Sequence, residues 1–349
     1  MISSSLGRLA PLSAALWLIT LAGAQDNLVH FQANMALGLE DSELVRISQP
    51  MSIGSPILLH VDLGGLPMTL DLSPKSVRTS GFSLVQIGAD GIERPIESGP
   101  VRTLWGSVLE DPGSVVAASL LDDGLYARIS LSSGDDYWLQ PIASKVRNAA
   151  PNDYVLYHTD DTRDVVRGCG SDLLPDNGPK PMTSGGGGTT YGPGTYWICE
   201  IGCDTDANYY NKYGSAAAVQ ARIESVINGL NVQYLRDVEI RHDISHLIIR
   251  TTNGPYTSND ASTLLNQFRV EWTTNQSGVQ RDIARTRKDD RFALDRISGM
   301  VEHPTQEIHR AESCRLCSQL RSAPFQPLAR ARASPTLHDP LVRPYQYTA

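Results

Sequence analysis

Residues 196–272 constrain what this chain can fold into more than any other stretch. They open with Tyr196-Trp197-Ile198-Cys199-Glu200, which reads as an edge or first strand. Ser215 can then cap a helix running to about Tyr234. Ala218, Val219, Ile223, Val226, Ile227, Leu230 and Tyr234 recur at helical spacing on one face, with Arg222 and Glu224 toward the other. Residues 238–250 follow as a strand of period two. Thr251-Thr252-Asn253-Gly254-Pro255-Tyr256-Thr257 turns the chain into a second helix, capped by Asn259 or Asp260. Leu264, Leu265, Phe268 and Trp272 form its buried face. Strands alternating with helices in this way belong to an α/β layer.

The chain before this stretch has a different rhythm. From residue 25 to about 165, short apolar runs alternate with Gly, Pro, Asp and Ser, at 56–61, 68–72, 82–87, 114–121, 125–131 and 137–142. Asp90-Gly91 and Asp123-Gly124 are hairpin-type turn dipeptides. The run 115–121 is continuously apolar apart from Ser119, as in a sheet buried on both faces. No His, Cys or carboxylate cluster here has a catalytic spacing, so the region reads as a β-sandwich-like module.

Two further segments frame these domains. Residues 1–24 form a signal peptide, with Arg8 in a short n-region, an apolar stretch 9–21, and Ala22-Gly23-Ala24 before Gln25 as the expected mature start. No later run approaches the ~20 apolar residues of a membrane span. The expectation is an exported chain, secreted or periplasmic/extracellular, with no membrane span once the signal is removed. Residues 171–194 read as a linker, because Pro175, Pro179, Pro181, Gly185-Gly186-Gly187-Gly188 and Gly192-Pro193-Gly194 cannot hold regular structure. The glycine run lacks the Gly-Lys-Ser/Thr ending of a phosphate loop.

Charge separates the last segment from the rest. The formal net charge of −8 argues against a nucleic-acid partner. Residues 285–349 nevertheless carry eleven Lys and Arg, ten of them Arg, against seven Asp and Glu, and only one glycine, Gly299. This Arg- and Pro-rich tail has little periodicity and reads as unstructured. A change of reading frame near Arg285 would produce such a break; so would a genuine basic tail for an acidic surface.

A family resemblance enters at Leu104–Pro141. Trp105-Gly106-Ser107-Val108, Asp111-Pro112-Gly113-Ser114-Val115-Val116-Ala117, Gly124-Leu125-Tyr126-Ala127-Arg128-Ile129 and Tyr137-Trp138-Leu139-Gln140-Pro141 resemble the prodomain of reprolysin (adamalysin-like) metzincin zinc metallopeptidases. Ala127 departs from the Gly common there. Asp204-Thr205-Asp206-Ala207-Asn208-Tyr209-Tyr210, the helix and strand after it, Pro255-Tyr256-Thr257, Asp260-Ala261 and Leu264–Trp272 resemble the N-terminal half of the catalytic domain. The resemblance implies peptide-bond hydrolysis of a protein or peptide substrate, a Zn²⁺ cofactor and latency imposed by a prodomain. It also implies a role for Cys169, in Arg167-Gly168-Cys169-Gly170, as a cysteine switch, since a thiolate can fill the open position on Zn²⁺. A structural disulfide is the other reading of that residue.

The resemblance stops where the metal site should begin. The family continues with H-E-x-x-H-x-x-G-x-x-H, which supplies three imidazoles and a general base. Nothing after Ala284 contains it. His242 and His246 imitate its spacing, but they fall in a strand, on a shared face about 13 Å apart by the strand rise, too far for one Zn²⁺. They are rejected as ligands, so no catalytic or metal residue can be named. The oxygens of Asp204, Asp206 and Asn208 have calcium-loop spacing without its turn glycine or closing Glu. Cys314-Arg315-Leu316-Cys317 is a lone C-x-x-C with no second pair. Five cysteines in an exported chain allow two disulfides and leave one over, with Cys199 and Cys203 as disulfide candidates.

The expected fold is therefore mixed α+β: a signal peptide at 1–24, a β-rich prodomain at 25–170, a linker at 171–194, an incomplete α/β zincin-like domain at 195–284 and an atypical tail at 285–349. The expected function is that of a secreted zinc metalloendopeptidase relative, inactive as written because the zinc motif is missing. The alternative is a non-catalytic exported β-rich binding module.

Overall fold

Alternation settles the first sheet. Strand β2 (Ile57–Leu63) buries Ile57, Leu59, Val61 and Leu63 and exposes the residues between them. It hairpins with β3 (Leu66–Pro74). Beyond β1 (Glu43–Arg46), the same sheet takes in β6 (Thr103–Val108), β7 (Asp111–Leu121), β8 (Gly124–Ser130), β9 (Asp136–Pro141) and β10 (Asp153–His158). The order is β1-β10-β9-β8-β7-β6-β3-β2, antiparallel throughout. Ile57, Leu70, Val108, Val116, Ile129, Leu139 and Leu156 meet in one core with Val45 of β1 against it. The sheet thus curls around its own inner face. Where β6 shifts register against β7, a Cβ on Gly106 would lie 1.8 Å from the Asp71 carbonyl oxygen of β3, so only glycine permits the close approach.

The second sheet draws on both parts of the chain. Its order is β13-β11-β12-β4-β5, where β11 is Trp197–Thr205, β12 is Ile240–Arg250 and β13 is Ile283–Arg287. The remaining two strands, β4 (Arg78–Ile87) and β5 (Glu93–Pro95), come from the segment read as prodomain. Strands β13, β11, β12 and β4 run parallel, and β5 closes the edge antiparallel. Strand β11 therefore lies inside the sheet and not at its edge. Strand β13 continues past Arg285, so regular pairing outlasts the boundary expected at residue 284.

Four helices complete this mixed, strongly β-rich α+β fold in the computed structural model, which describes residues 13–163, 196–258 and 260–287. They are α1 (Ser13–Leu37), α2 (Ala207–Tyr213), α3 (Ala216–Val238) and α4 (Ala261–Thr274). Cys169, the linker 171–194, the pair Cys314 and Cys317, and nearly all of the tail lie outside the described residues.

Helix α1 runs from the segment expected as a signal peptide into the start of the region expected to be β-rich. Val29, Ala33 and Leu37, spaced by four, are all buried, and that helical period is its signal. Helix α3 starts where expected, with Ser215 Oγ accepting from the Ala218 amide at 3.2 Å. Its surroundings differ from the expectation. It packs on β12 with one face and on β6, β7 and β8 with the other. Arg222 and Glu224 are therefore buried, although amphipathic spacing put them on an outward face. The core between the sheets joins Val77, Leu84, Trp138, Val155 and Tyr157 to Ile201, Ile223, Ile227, Ile244 and Leu247. Each such side chain contributes roughly 1.5–3 kcal/mol by leaving water.

Candidate functional site

The carboxyl ends of parallel strands are where open α/β sheets build their sites. Here the ends of β11 and β12 place Asp204 beside Arg250. Asp204 is fully buried. Its carboxylate accepts from Arg250 Nε at 2.8 Å and Nη2 at 2.9 Å, from the Tyr256 hydroxyl at 2.5 Å and from Trp272 Nε1 at 3.1 Å. Arg250 Nη2 also donates to Glu271 of α4 at 2.7 Å. Burial works against the Arg250 charge, but the hydrogen bonds and charge of Asp204 outweigh it and raise its pKa further. Burial pushes the Asp204 carboxyl up, against the pull of its donors. Burial and the same carboxylate also hold Tyr256 protonated. Trp272 reaches this pair because Gly202 leaves room: a Cβ there would sit 2.4 Å from the indole.

Four donors converge on this one carboxylate, three of them on Oδ2, so Asp204 serves as a buried structural acceptor. The arrangement pins the turn at Pro255–Thr257 and helix α4 to the sheet. Asp206, the next acid along, caps α2 by accepting from the Tyr209 amide at 2.8 Å. The calcium-loop spacing is thus divided between two unrelated tasks.

Beside this network lies a polar cleft of about 550 Å³ at the ends of β4 and β12. Glu93, Arg250, Asn253, Glu271 and Gln276 line it together with the backbone of Gly88 and Gly254.

His242 and His246 do not share a face, contrary to the expectation from strand periodicity. Ser245 is an extra residue: Ile201 pairs with Ile244 and Gly202 with His246. A bulge of this kind shifts which residues face which side. Ile244, Leu247 and Ile249 pack toward α3, whereas Ile248 packs with Phe268 and Trp272 of α4. His242 stands edge-on to Tyr234 of α3 at 4.7 Å and lies 3.2 Å from Asn231 Oδ1. Burial, with a smaller contribution from Arg285, lowers its pKa to about 4. His246, on the α4 side, lies 2.5 Å from Ser83 Oγ of β4, and burial lowers its pKa as well.

Cys199 and Cys203 both lie on β11, Cys203 buried and Cys199 half-buried. Four strand residues hold them about 13 Å apart, too far for a bond to each other. Among the described residues the donor chemistry also fits no zinc centre. No group of three or more His, Cys, Asp or Glu could hold a metal among the described residues. The two histidines with suggestive spacing look into opposite layers.

The residues that periodicity missed are those joining the two parts of the chain. Arg78 of β4 donates to Glu224 of α3 through Nε at 2.7 Å and Nη2 at 3.0 Å. Asn228 of α3 donates to the Leu104 and Ala118 carbonyls at 3.0 and 2.9 Å, bridging β6 and β7. The Ile244 amide donates to the Val77 carbonyl at 2.7 Å, and Arg241 to the Ser76 carbonyl at 2.7 Å. Polar side chains inside the otherwise apolar pattern of 219–230 are the one sequence signal that could have revealed this contact.

A sequence model of Reprolysin_5, metallo-peptidase family M12, matches residues 197–295, less than a third of the chain. The match begins at β11 and runs past β13, so the metallopeptidase resemblance of this segment stands. No curated protein matches the chain at a significant level. Among solved structures, the crystal structure of metalloproteinase-II from Bacteroides fragilis is similar, with 13% identity and a TM-score of 0.25. The overlap takes in 63% of this chain and 60% of that one, so the chain spans about 60% of that protein's length.

Proposed function

We propose that this chain is an exported relative of the M12 metallopeptidases that keeps the prodomain-plus-catalytic-domain plan but cleaves no peptide bond. The family match over 197–295 carries this reading. The sequence supplies its negative half, since none of the 349 residues forms an H-E-x-x-H motif. Without that motif the polypeptide lacks three imidazoles to ligate Zn²⁺ and a carboxylate to activate water. The same reading gives residues 25–170 the place of the prodomain and Cys169 that of a switch thiol with no zinc to silence. The test is incubation of the purified chain with an unfolded protein substrate and Zn²⁺, with and without a chelator, on material shown to unfold cooperatively. No cleavage is expected. Cleavage abolished by the chelator would overturn the proposal.

A further inference from the structure

In a latent protease the prodomain is a removable cover. Here residues 78–95 are part of the sheet that such a cover would have to leave. Val85 pairs with Ile248, Leu84 with Leu247 and Gln86 with Ile249, so β4 occupies the whole carboxyl half of the β12 edge. Strand β5 then pairs with β4 as the outermost strand. Leu84 faces the core with α3, and Val85 and Ile87 face the core with α4. Both layers of the metallopeptidase-like segment are thus completed by the same strand.

The polar contacts point the same way. Glu224 is 1% exposed, and its partners are Arg78 in two places and Gln220 Nε2 at 2.7 Å. Gln220 Oε1 in turn accepts from the Gly99 amide at 3.0 Å, and Arg78 Nη1 donates to the Gly99 carbonyl at 2.9 Å. Removing the N-terminal part would take Arg78 from Glu224 and uncover the face of α3 that packs on β6, β7 and β8. It would also bare the β12 edge from Ile244 to Arg250, and proteins otherwise keep such edges covered.

We infer that residues 25–163 and 196–287 form one inseparable unit, with β4 and β5 serving as permanent strands of the metallopeptidase-like sheet. A cut anywhere in 164–195 leaves the two pieces bound as a single particle. The partner of the β12 edge is thus the chain's own strand β4, residues 78–87. The inference rests on the shared sheet and core and not on the enzymatic reading, so an outcome in the protease assay leaves it unaffected.

The test is a full-length chain with a sequence-specific protease site inserted at Gly186, cut to completion and passed over a sizing column. Co-elution at the uncut size, with separation only in denaturant, is expected. Two separated pieces in native buffer, or loss of the cut sample to aggregation, would overturn the inference. Hydrogen exchange at the β12 amides gives a second readout: protection unchanged by the cut supports the shared sheet, and lost protection refutes it. In the cut form, Arg78→Ala should weaken association on the order of a hundredfold, since it strands a buried carboxylate. An unchanged dissociation constant would count against the joint as drawn.

Discussion

The two sheets of this protein are made in opposite ways. In the eight-stranded sheet, β6 to β10 follow one another as neighbours, and every register is antiparallel. Its inner core closes on residues between Val45 and Leu156. In the five-stranded sheet, neighbours come from distant parts of the chain, and four of the five strands are parallel. The first sheet can assemble hairpin by hairpin. The second must bring residue 85 to residue 248 before any pairing gains are realised, which is the costlier closure. Its centre carries what the first core lacks, a fully buried ion pair. Buried charge seldom adds stability over apolar packing, but it penalises every alternative arrangement in which the partners miss each other. Asp204 and Arg250 suit a sheet whose strand order is not dictated by sequence proximity.

The sharpest way to probe that contrast is to break the ion pair. Arg250→Ala leaves Asp204 buried without its cation and strips a donor from Glu271. The expected loss is about 3–5 kcal/mol, measured by urea denaturation. Circular dichroism, dominated by the strands of both sheets, and tryptophan fluorescence should shift to the same lower midpoint if the sheets unfold together. Two separate midpoints in place of one would mean that the two sheets unfold independently.

A milder probe uses acid. The folded-state pKa of His242 is about 4, below the 6.5 of an unperturbed imidazole, chiefly because of burial. The unfolded chain therefore binds a proton that the folded chain refuses. The stabilisation is complete above pH 6.5 and is lost as pH falls toward 4, to a limit of about 3 kcal/mol. His246, depressed in the same direction, adds to the loss. Burial raises Asp243, which works in the opposite sense. The informative quantity is thus the difference between wild type and His242→Gln, measured at pH 7.5 and pH 5. The variant should lose less on acidification. Equal losses would show that His242 is accessible to protons in the native state.

These same residues mark how far the sequence could be read. Hairpin chemistry at Asp90-Gly91 and Asp123-Gly124, and the short apolar runs that form β2, β3, β7, β8 and β9, were legible because they are local. So were the caps Ser215 and Asp260, whose side-chain oxygens accept from the amides three residues on. The Ser245 bulge was not legible, because the pairing partner that makes one residue extra lies on another strand, yet it sends His242 and His246 to opposite layers. Nor was the burial of Arg222 and Glu224, because helical amphipathicity assumes one covered face and α3 has two. The partnership of β4 with β12 left no trace either, since nothing in residues 78–87 states which distant strand they will meet. The candidate site fared worse than the fold for the same reason: Asp204, Arg250 and Glu271 act through contacts made across the molecule.

The smallest expected effect sits at the far end of the hairpin that joins the two sheets' histories. Arg78 begins β4 and binds a buried carboxylate. Arg94 lies in β5 and pairs with Asp90 across the turn, where both side chains are largely in water. The two arginines belong to the same strand pair and make equally visible ion pairs, yet their surroundings differ in the one respect that matters. Solvent screens the Arg94 pair and already satisfies each partner alone. Its removal leaves no unmet charge, whereas removal of Arg78 leaves Glu224 with one. Arg94→Ala should therefore leave the urea midpoint within experimental error at physiological salt. A clear drop would mean that the β4–β5 turn is held by its tip, and that the edge of the shared sheet is less firmly set by its core than the burial of Val85 and Ile87 implies.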